Sequence, residues 1–269
     1  MCQNTRLRII KKQPVQRNTS FDGKSRTFSR NIYGTTKGQI RLRVLERDLA
    51  EWLSERPQPL RILDAGGGFG PVSQRLAADG HQVVLCDLSA EMLDEARAQV
   101  ADKGLSERFD FIHGPIQSLT VDDLGQFDLI LCHAVLEWVE DQAGLLATLN
   151  ALLAPGGTLS LMYYNRDGLL YHSLVKGNFD YVHANLVRKR RQKLTPGWPC
   201  RPAEVDGWLQ QLGFVITGRS GVRVFHDYMS NVHGPFPTEE DIIEMELAHS
   251  RTAPFMHLGR YMHVLARKP

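Results

Sequence analysis

Apolar positions along the chain recur in two alternating rhythms. From Lys37, the residues Ile40, Val44, Leu45, Leu49, Trp52 and Leu53 return at three- and four-residue steps. That spacing predicts an amphipathic helix, opened by Gly34-Thr35-Thr36 and stopped by Pro57 and Pro59. A short apolar run at 60–64 then predicts a buried strand, and Val72, Leu76 and Ala77 a helix over 71–79 ended by Gly80. The alternation continues with a strand at 81–87, a helix at 90–103 capped by Ser89, and strands at 109–113 and 127–133. One long helix is expected at 135–153, closed by Pro155-Gly156-Gly157, before a fifth strand at 158–163. Residues 165–200 break the rhythm with aromatics and amides and are expected to form an insertion or lid on the substrate side. A helix at 202–212, strand segments at 214–217 and 222–226, a helix near 238–249 and a last strand at 260–266 complete the chain. Strands alternating with helices predict an α/β fold: a doubly wound, mostly parallel seven-stranded sheet with helices on both faces and a ligand at the carboxyl ends of its strands.

Charge changes the picture at two places. The net charge is only +2, yet residues 1–30 carry eight basic side chains against Asp22 alone. That composition reads as a flexible basic arm over 1–27, with a single domain over 28–269. A second run, Arg188, Lys189, Arg190, Arg191 and Lys193, has no acid within it, so the remaining body is mildly acidic. Such a distribution suits a polyanionic partner. Tyr163, Tyr164, Phe179, Tyr181 and Trp198 flank the second run, and cations with interleaved aromatics suit unpaired RNA bases and their phosphates. The four cysteines (Cys2, Cys86, Cys132, Cys200) are scattered and form no C-x-x-C pair, which fits a reducing cytoplasm rather than a disulfide scaffold. No apolar run reaches the length of a membrane span, and no histidine spacing predicts a metal site.

The chemistry is expected at the first strand-to-helix turn. There the spacing is Asp-x-Gly-x-Gly-x-Gly, at Asp64, Gly66, Gly68 and Gly70. The dinucleotide fingerprint G-x-G-x-x-G fails, because its third glycine would fall on Pro71. The acidic residue with three glycines resembles the cofactor loop of S-adenosylmethionine methyltransferases. Asp87, ending the second strand, is placed to accept hydrogen bonds from both ribose hydroxyls of an adenosine. Leu88 would flank the adenine, while Ile116 and Gln117, after the third strand, would cover the purine and read its amine. His133 ends the fourth strand on the cleft side, and Arg41 on the first helix is a candidate partner for the cofactor's carboxylate.

Longer segments carry a closer resemblance. Phe28-Ser-Arg-Asn-Ile-Tyr-Gly-Thr-Thr-Lys-Gly38, Leu85-Cys-Asp-Leu-Ser89, His133-Ala-Val-Leu-Glu-Trp138, Gly177-Asn-Phe-Asp-Tyr-Val182, Gly221-Val-Arg-Val-Phe-His-Asp-Tyr228 and Leu258-Gly-Arg-Tyr261 resemble the bacterial tRNA 5-carboxymethoxyuridine methyltransferases. The similarity runs from about Arg17 to the C-terminus. It implies methyl transfer from S-adenosylmethionine to the carboxylate of 5-carboxymethoxyuridine at the tRNA wobble position, with the anticodon stem-loop as partner. It also implies cofactor contacts from Arg41, Gly66, Gly67, Asp87, Leu88, Ile116, Gln117 and His133.

That reaction explains an absence. The substrate carboxylate is already ionised at neutral pH, its reference pKa being about 4, so no general base is required. A group that orients the carboxylate is required, and the candidates are Tyr164, Arg223 and His226. Two other readings are a methyltransferase of a small carboxylic acid or quinone precursor, and a non-catalytic S-adenosylmethionine-sensing subunit of a tRNA-modifying enzyme.

Overall fold

The structure is a computed structural model that describes residues 8–9, 34–56, 59–187, 196–230 and 233–269. The first long element is helix α1 (Thr36–Leu53), opened by Thr35, whose side chain accepts the Gly38 N–H. Its stripe of Ile40, Val44, Leu45 and Leu49 is buried, and so, against pattern, is Asp48. Five parallel strands follow the expected order. Arg61–Ala65 (β2) leads to Pro71–Ala78 (α2), and Gln82–Asp87 (β3) to Ala90–Asp102 (α3), with Ser89 capping α3 as predicted. Phe109–His113 (β4) and Phe127–His133 (β5) match their predicted limits, and Leu153–Tyr164 (β6) starts five residues earlier than expected.

The closing pair is antiparallel. Tyr261–Arg267 (β8) lies between β6 and Val215–Val222 (β7). The expected seven strands therefore form one mostly parallel sheet. Arg8–Ile9 (β1) adds two residues in parallel register along β4, giving the order β1-β4-β3-β2-β5-β6-β8-β7. The rest of the expected basic arm over 1–27 lies outside the described residues.

Strand side chains alternate between two cores. Leu63, Ala65, Val84, Ile130 and Cys132 face one side, packed by helices Gln142–Leu152 (α5) and Pro202–Gln211 (α8). Ile62, Val83, Leu85, Leu129 and Leu131 face the other, against α1, α2, α3 and Glu239–His249 (α9). Burial on both faces is why these strands read as almost unbroken apolar runs. A further short helix, Val121–Leu124 (α4), precedes β5.

Two expectations need correction. The helix expected over 135–153 is two elements: a 3₁₀ turn at Leu136–Trp138, then α5. Val139 is extended between them, and the Asp141 carboxylate accepts the Gly144 N–H at 2.9 Å, capping a new helix. Both pieces bury leucines on the same side, so apolar periodicity alone runs them together. The strand segment expected at 222–226 ends at Val222. Arg223 turns away at φ +60°, and the next three backbone N–H groups bond to the Glu246 carboxylate instead of a strand. The insertion over 165–200 opens with Arg166–Val175 (α6) and Phe179–His183 (α7). Asn165 anchors it, donating to the Gly259 and His257 carbonyls at 2.8 and 2.9 Å, beside the short helix Phe255–Leu258 (α10). No described helix is long and apolar enough to cross a membrane.

Candidate functional site

The turn after β2 is shaped by contacts that exclude side chains. Gly66 has φ +75°, and a Cβ there would come within 2.6 Å of the Val135 side chain. A Cβ on Gly67 would collide with the Asp64 carboxylate. Neither position admits another residue without movement, so the loop leaves space at the strand end, while the Gly66 and Gly67 N–H groups are held by the Cys86 carbonyl at 2.7 and 3.3 Å. Asp64 itself is buried and accepts the Ser73 hydroxyl at 2.6 Å, tying the turn to the first turn of α2. Asp64 therefore holds the loop in shape and also lines the pocket that the loop borders. Burial, with Asp87 nearby, pushes its carboxyl up to about 7 against the pull of the Ser73 hydrogen bond.

Asp87 stands at the tip of the adjoining strand β3. Its carboxylate accepts the Gly68 N–H at 2.9 Å and the Ser89 N–H at 2.8 Å, so it holds the glycine loop and the start of α3 in one register. A carboxylate oxygen accepts more than one hydrogen bond, so a carboxylate at this strand end is chemically suited to ribose hydroxyls. Leu88 is half-buried beside it, and its carbonyl meets His113 Nε2 at 3.1 Å. Gln117 is half-buried on the 3₁₀ turn Ile116–Ser118. Ile116 is 7% exposed and packs into the first core with Ile112 and Leu119, so only its edge can touch a base.

A pocket at the carboxyl ends of β2, β5 and β6 is lined by Arg41, Leu45, Gly66, Gly67, His133 and Met162. The structure thus brings four of the expected cofactor residues to one cavity, with Asp87 joined to it through Gly68. Arg41 is 9% exposed, its guanidinium stacks 4.6 Å above the Tyr261 ring, and its Nε has no protein partner. An orphaned guanidinium donor fits a carboxylate ligand. His133 bonds through Nε2 to Ser160 Oγ at 2.8 Å, and burial lowers its basicity well below the ordinary imidazole range.

Next to this pocket, Asp227 gathers cations. Arg223 Nη2 lies 2.5 Å from its carboxylate, Arg260 Nε 3.1 Å and Lys37 Nζ 3.9 Å, with His226 Nδ1 at 3.5 Å. Burial works against it, but the His226 ring and the charges of Arg223, Arg260 and Lys37 hold the Asp227 carboxyl well below the usual carboxylate range. Arg223 and Arg260 are 12% and 17% exposed, and Arg223 Nε and Arg260 Nη1 carry no hydrogen bond. Their guanidiniums sit 5.7 Å from the Tyr261 ring and 5.5 Å from the Tyr164 ring, and the two rings meet edge to face at 5.3 Å. Tyr261 therefore contacts both Arg41 of the pocket and Arg223 of this cluster. Burial raises the Tyr164 hydroxyl to about 12 against the pull of Arg260, so it stays a neutral donor at neutral pH.

All three expected orienting residues, Tyr164, Arg223 and His226, meet here. Sequence reasoning missed Arg260, Tyr261 and Asp227, although the segments Gly221–Tyr228 and Leu258–Tyr261 contain them. The signal was available: two clusters of charged and aromatic residues, each next to a predicted strand end.

On the other side of Tyr164 lies a cavity of about 480 Å³, lined by Tyr164, Arg166, Leu169, Tyr181, Trp198 and Pro199 among others. Its aromatic walls belong to the insertion. The expected tRNA-binding run Arg188, Lys189, Arg190, Arg191 and Lys193 lies outside the described residues.

Between cavity and pocket, Glu137 is wholly buried. Its Oε2 accepts the Tyr164 N–H at 3.4 Å and its Oε1 has no partner. Burial lifts this carboxyl to about 7, with Arg41 pulling it back. A folded pKa above the unfolded one means that this group's contribution is full below about pH 4 and is lost as pH rises through about 7. Glu137→Gln is therefore expected to be more stable than the wild type by about 3 kcal/mol at alkaline pH and to show a flatter fall of Tm from pH 5 to pH 8. Chemical denaturation across that range checks it, and equal slopes for the two proteins would contradict it.

Residues 63–161 match the family model described as a methyltransferase domain. The chain is 50% identical over 251 residues to the tRNA 5-carboxymethoxyuridine methyltransferase of Escherichia coli (strain K12), covering 93% of this chain and 96% of that protein. It is 31% identical over 174 residues to a ubiquinone biosynthesis O-methyltransferase of Xanthomonas axonopodis pv. citri (strain 306), covering 64% and 70% of the two chains. Among solved structures, magnesium protoporphyrin IX methyltransferase from Synechocystis PCC 6803 with bound S-adenosylhomocysteine superposes with a TM-score of 0.62 at 18% identity, over 93% of this chain and 96% of that one. At that identity the likeness is one of fold.

Proposed function

The chain belongs to the tRNA 5-carboxymethoxyuridine methyltransferase family, and from that premise we propose how its own residues carry out the reaction. The enzyme transfers a methyl group from S-adenosylmethionine to the carboxylate of 5-carboxymethoxyuridine in tRNA, forming 5-methoxycarbonylmethoxyuridine. Bound at the glycine turn, S-adenosylmethionine supplies an electrophilic methyl group on a sulfonium. The chain's part begins with binding. The Gly66–Gly67 backbone leaves room for the cofactor's amino-acid end, the unpaired Arg41 Nε meets its carboxylate, and Asp87 takes the ribose hydroxyls, with Leu88, Ile116 and Gln117 around the base.

Holding the nucleophile is the second task. Three cations form ion pairs with the single Asp227 carboxylate, which leaves the cluster two positive charges in excess. That excess, with Arg223 Nε and Arg260 Nη1 unpaired, is the observation that carries the assignment: the cluster is short of one anion. The carboxylate of the modified uridine is that anion. Asp227 tempers the attraction, because a fully committed salt bridge would drain charge from the attacking oxygen. The neutral Tyr164 hydroxyl and His226 complete the candidate set. The remaining work is alignment in a site shielded from water, without proton transfer.

The aromatic cavity beside Tyr164 is suited to an unstacked base, and the composition of the run 188–193 to RNA phosphates. Together they favour the anticodon stem-loop, with the wobble uridine as target, and a cytoplasmic site of action. Mass spectrometry of wobble nucleosides from cells lacking the chain tests this: the free acid should accumulate and the ester disappear. Unchanged ester would overturn the assignment.

A further inference from the structure

A line of buried polar side chains runs from the cofactor pocket along the face of the sheet that α1 covers. His133 Nε2 meets Ser160 Oγ at 2.8 Å, the same oxygen meets His263 Nε2 at 2.8 Å, and His263 Nδ1 meets Asp48 Oδ2 at 2.7 Å. Asp48, Ser160 and His263 are 3%, 0% and 1% exposed, so no bulk water interrupts the chain. The elements involved are α1, β5, β6 and β8, and their meeting depends on β8 lying antiparallel against β6.

Proton counting leaves this chain little freedom. Ser160 has one hydroxyl proton and stands between two ring nitrogens, so one ring donates to it and the other accepts from it. Asp48 decides which. Its Oδ1 accepts from Arg47 at 2.7 Å and from Arg251 at 2.6 Å, and Arg251 also meets Glu51 at 2.7 Å. Two guanidiniums thus already neutralise the Asp48 carboxylate, and a third cation at the buried His263 would be uncompensated. An imidazole at 263 with its one proton on Nδ1 donates to Asp48 Oδ2 and accepts the Ser160 hydroxyl at Nε2. Ser160 Oγ then accepts from His133 Nε2–H, which leaves His133 Nδ1 unprotonated. Among the described residues that nitrogen has no hydrogen-bond partner, and its ring lines the pocket.

We propose that Asp48, His263 and Ser160 are positioning residues that lock His133 as its Nε2–H tautomer, so that it presents a hydrogen-bond acceptor to the cofactor pocket. The group it receives is a cationic donor, and the α-ammonium at the amino-acid end of the cofactor has that chemistry while Arg41 meets the carboxylate. The ligand assignment rests on the cofactor reading above, whereas the tautomer of the ligand-free protein does not.

The two can be tested separately. Nitrogen-15 NMR of the ligand-free protein should show His133 with its proton on Nε2. Asp48→Asn should invert it. The amide oxygen stays with the two arginines, its NH₂ now donates to His263 Nδ1, and each hydrogen bond along the line reverses, leaving the proton on His133 Nδ1. S-adenosylhomocysteine affinity, read by calorimetry, should fall about ten-fold in that variant, a change of about 1.4 kcal/mol. Ser160→Ala cuts the line; it should weaken binding by a few-fold, and adding Asp48→Asn to it should change nothing further. Wild-type His133 protonated on Nδ1, or an unchanged tautomer in Asp48→Asn, would overturn the proposal. So would an Asp48→Asn effect equally large with and without Ser160. Inverted tautomer with unchanged affinity would keep the lock and reject the ammonium as its ligand.

Discussion

Replacing Arg223 with methionine is expected to lower methyl-ester formation on tRNA by about 100-fold or more, the range seen when a positioned donor to a reacting oxygen is removed. The physical reason is orientation. A carboxylate needs no activation, so its reactivity depends on how often one oxygen points along the sulfonium–methyl axis, and a two-point guanidinium contact fixes that direction. Arg223 is 12% exposed and keeps Nε free while Nη2 is held by Asp227, so its fork is already aimed before substrate arrives. Methionine retains the aliphatic packing near Tyr261 and carries the same left-handed backbone cost at φ +60°, so the comparison isolates the guanidinium. Arg223→Lys should recover only a small part of the rate, because a point charge supplies no fork. Single-turnover assays with 5-carboxymethoxyuridine-containing tRNA are the measurement, with S-adenosylhomocysteine affinity expected to stay within about two-fold of wild type. A methionine variant that keeps its rate would remove Arg223 from the site.

The second large effect is on stability, and its source is Glu246. This side chain is fully buried in α9 and accepts three successive backbone N–H groups, from Val224 at 2.7 Å, Phe225 at 3.1 Å and His226 at 2.8 Å. Burial raises its carboxyl above the usual value even though those three donors pull it down. Glu246→Ala leaves three buried donors without an acceptor and a void behind them, a loss of about 3–4 kcal/mol. In a domain of this size that corresponds to a fall in Tm of about 10 °C. Glu246→Gln keeps an acceptor oxygen and the volume, and should lose about half as much. Thermal unfolding followed by circular dichroism reads both. The loop at 223–228 carries Arg223, His226 and Asp227, so the alanine variant should also lose turnover well below its melting temperature. A Tm within about 2 °C of wild type would show that the loop is held by something else.

Much of the architecture could be read directly because the determinants are local. The apolar runs of β2 to β5, the caps at Thr35 and Ser89, and the glycines after Asp64 each act within a few residues, where turn and helix geometry are decided. The glycine turn and Asp87 were legible for the same reason: a strand end followed by residues without side chains permits few structures. Local rules failed where a side chain from elsewhere intervened. The Glu246 carboxylate, about twenty residues on, takes the N–H groups that would otherwise have continued a strand, whereas at Asp141 the cap was local and the apolar period on either side of it masked it.

The composition and order of the chain by themselves determined the doubly wound sheet, the cofactor turn and the residues at its rim, since hydrophobic period and backbone freedom are properties of short segments. Only the tertiary structure decided which charges would meet. Asp48 and His263 are 215 residues apart, and Lys37, Arg223 and Arg260 reach one Asp227 from three different elements. Those encounters follow from β8 running antiparallel between β6 and β7, which carries the C-terminal residues back to the mouth of the pocket. Coulomb attraction and hydrogen bonding act through space, and no periodicity along the chain records that distance.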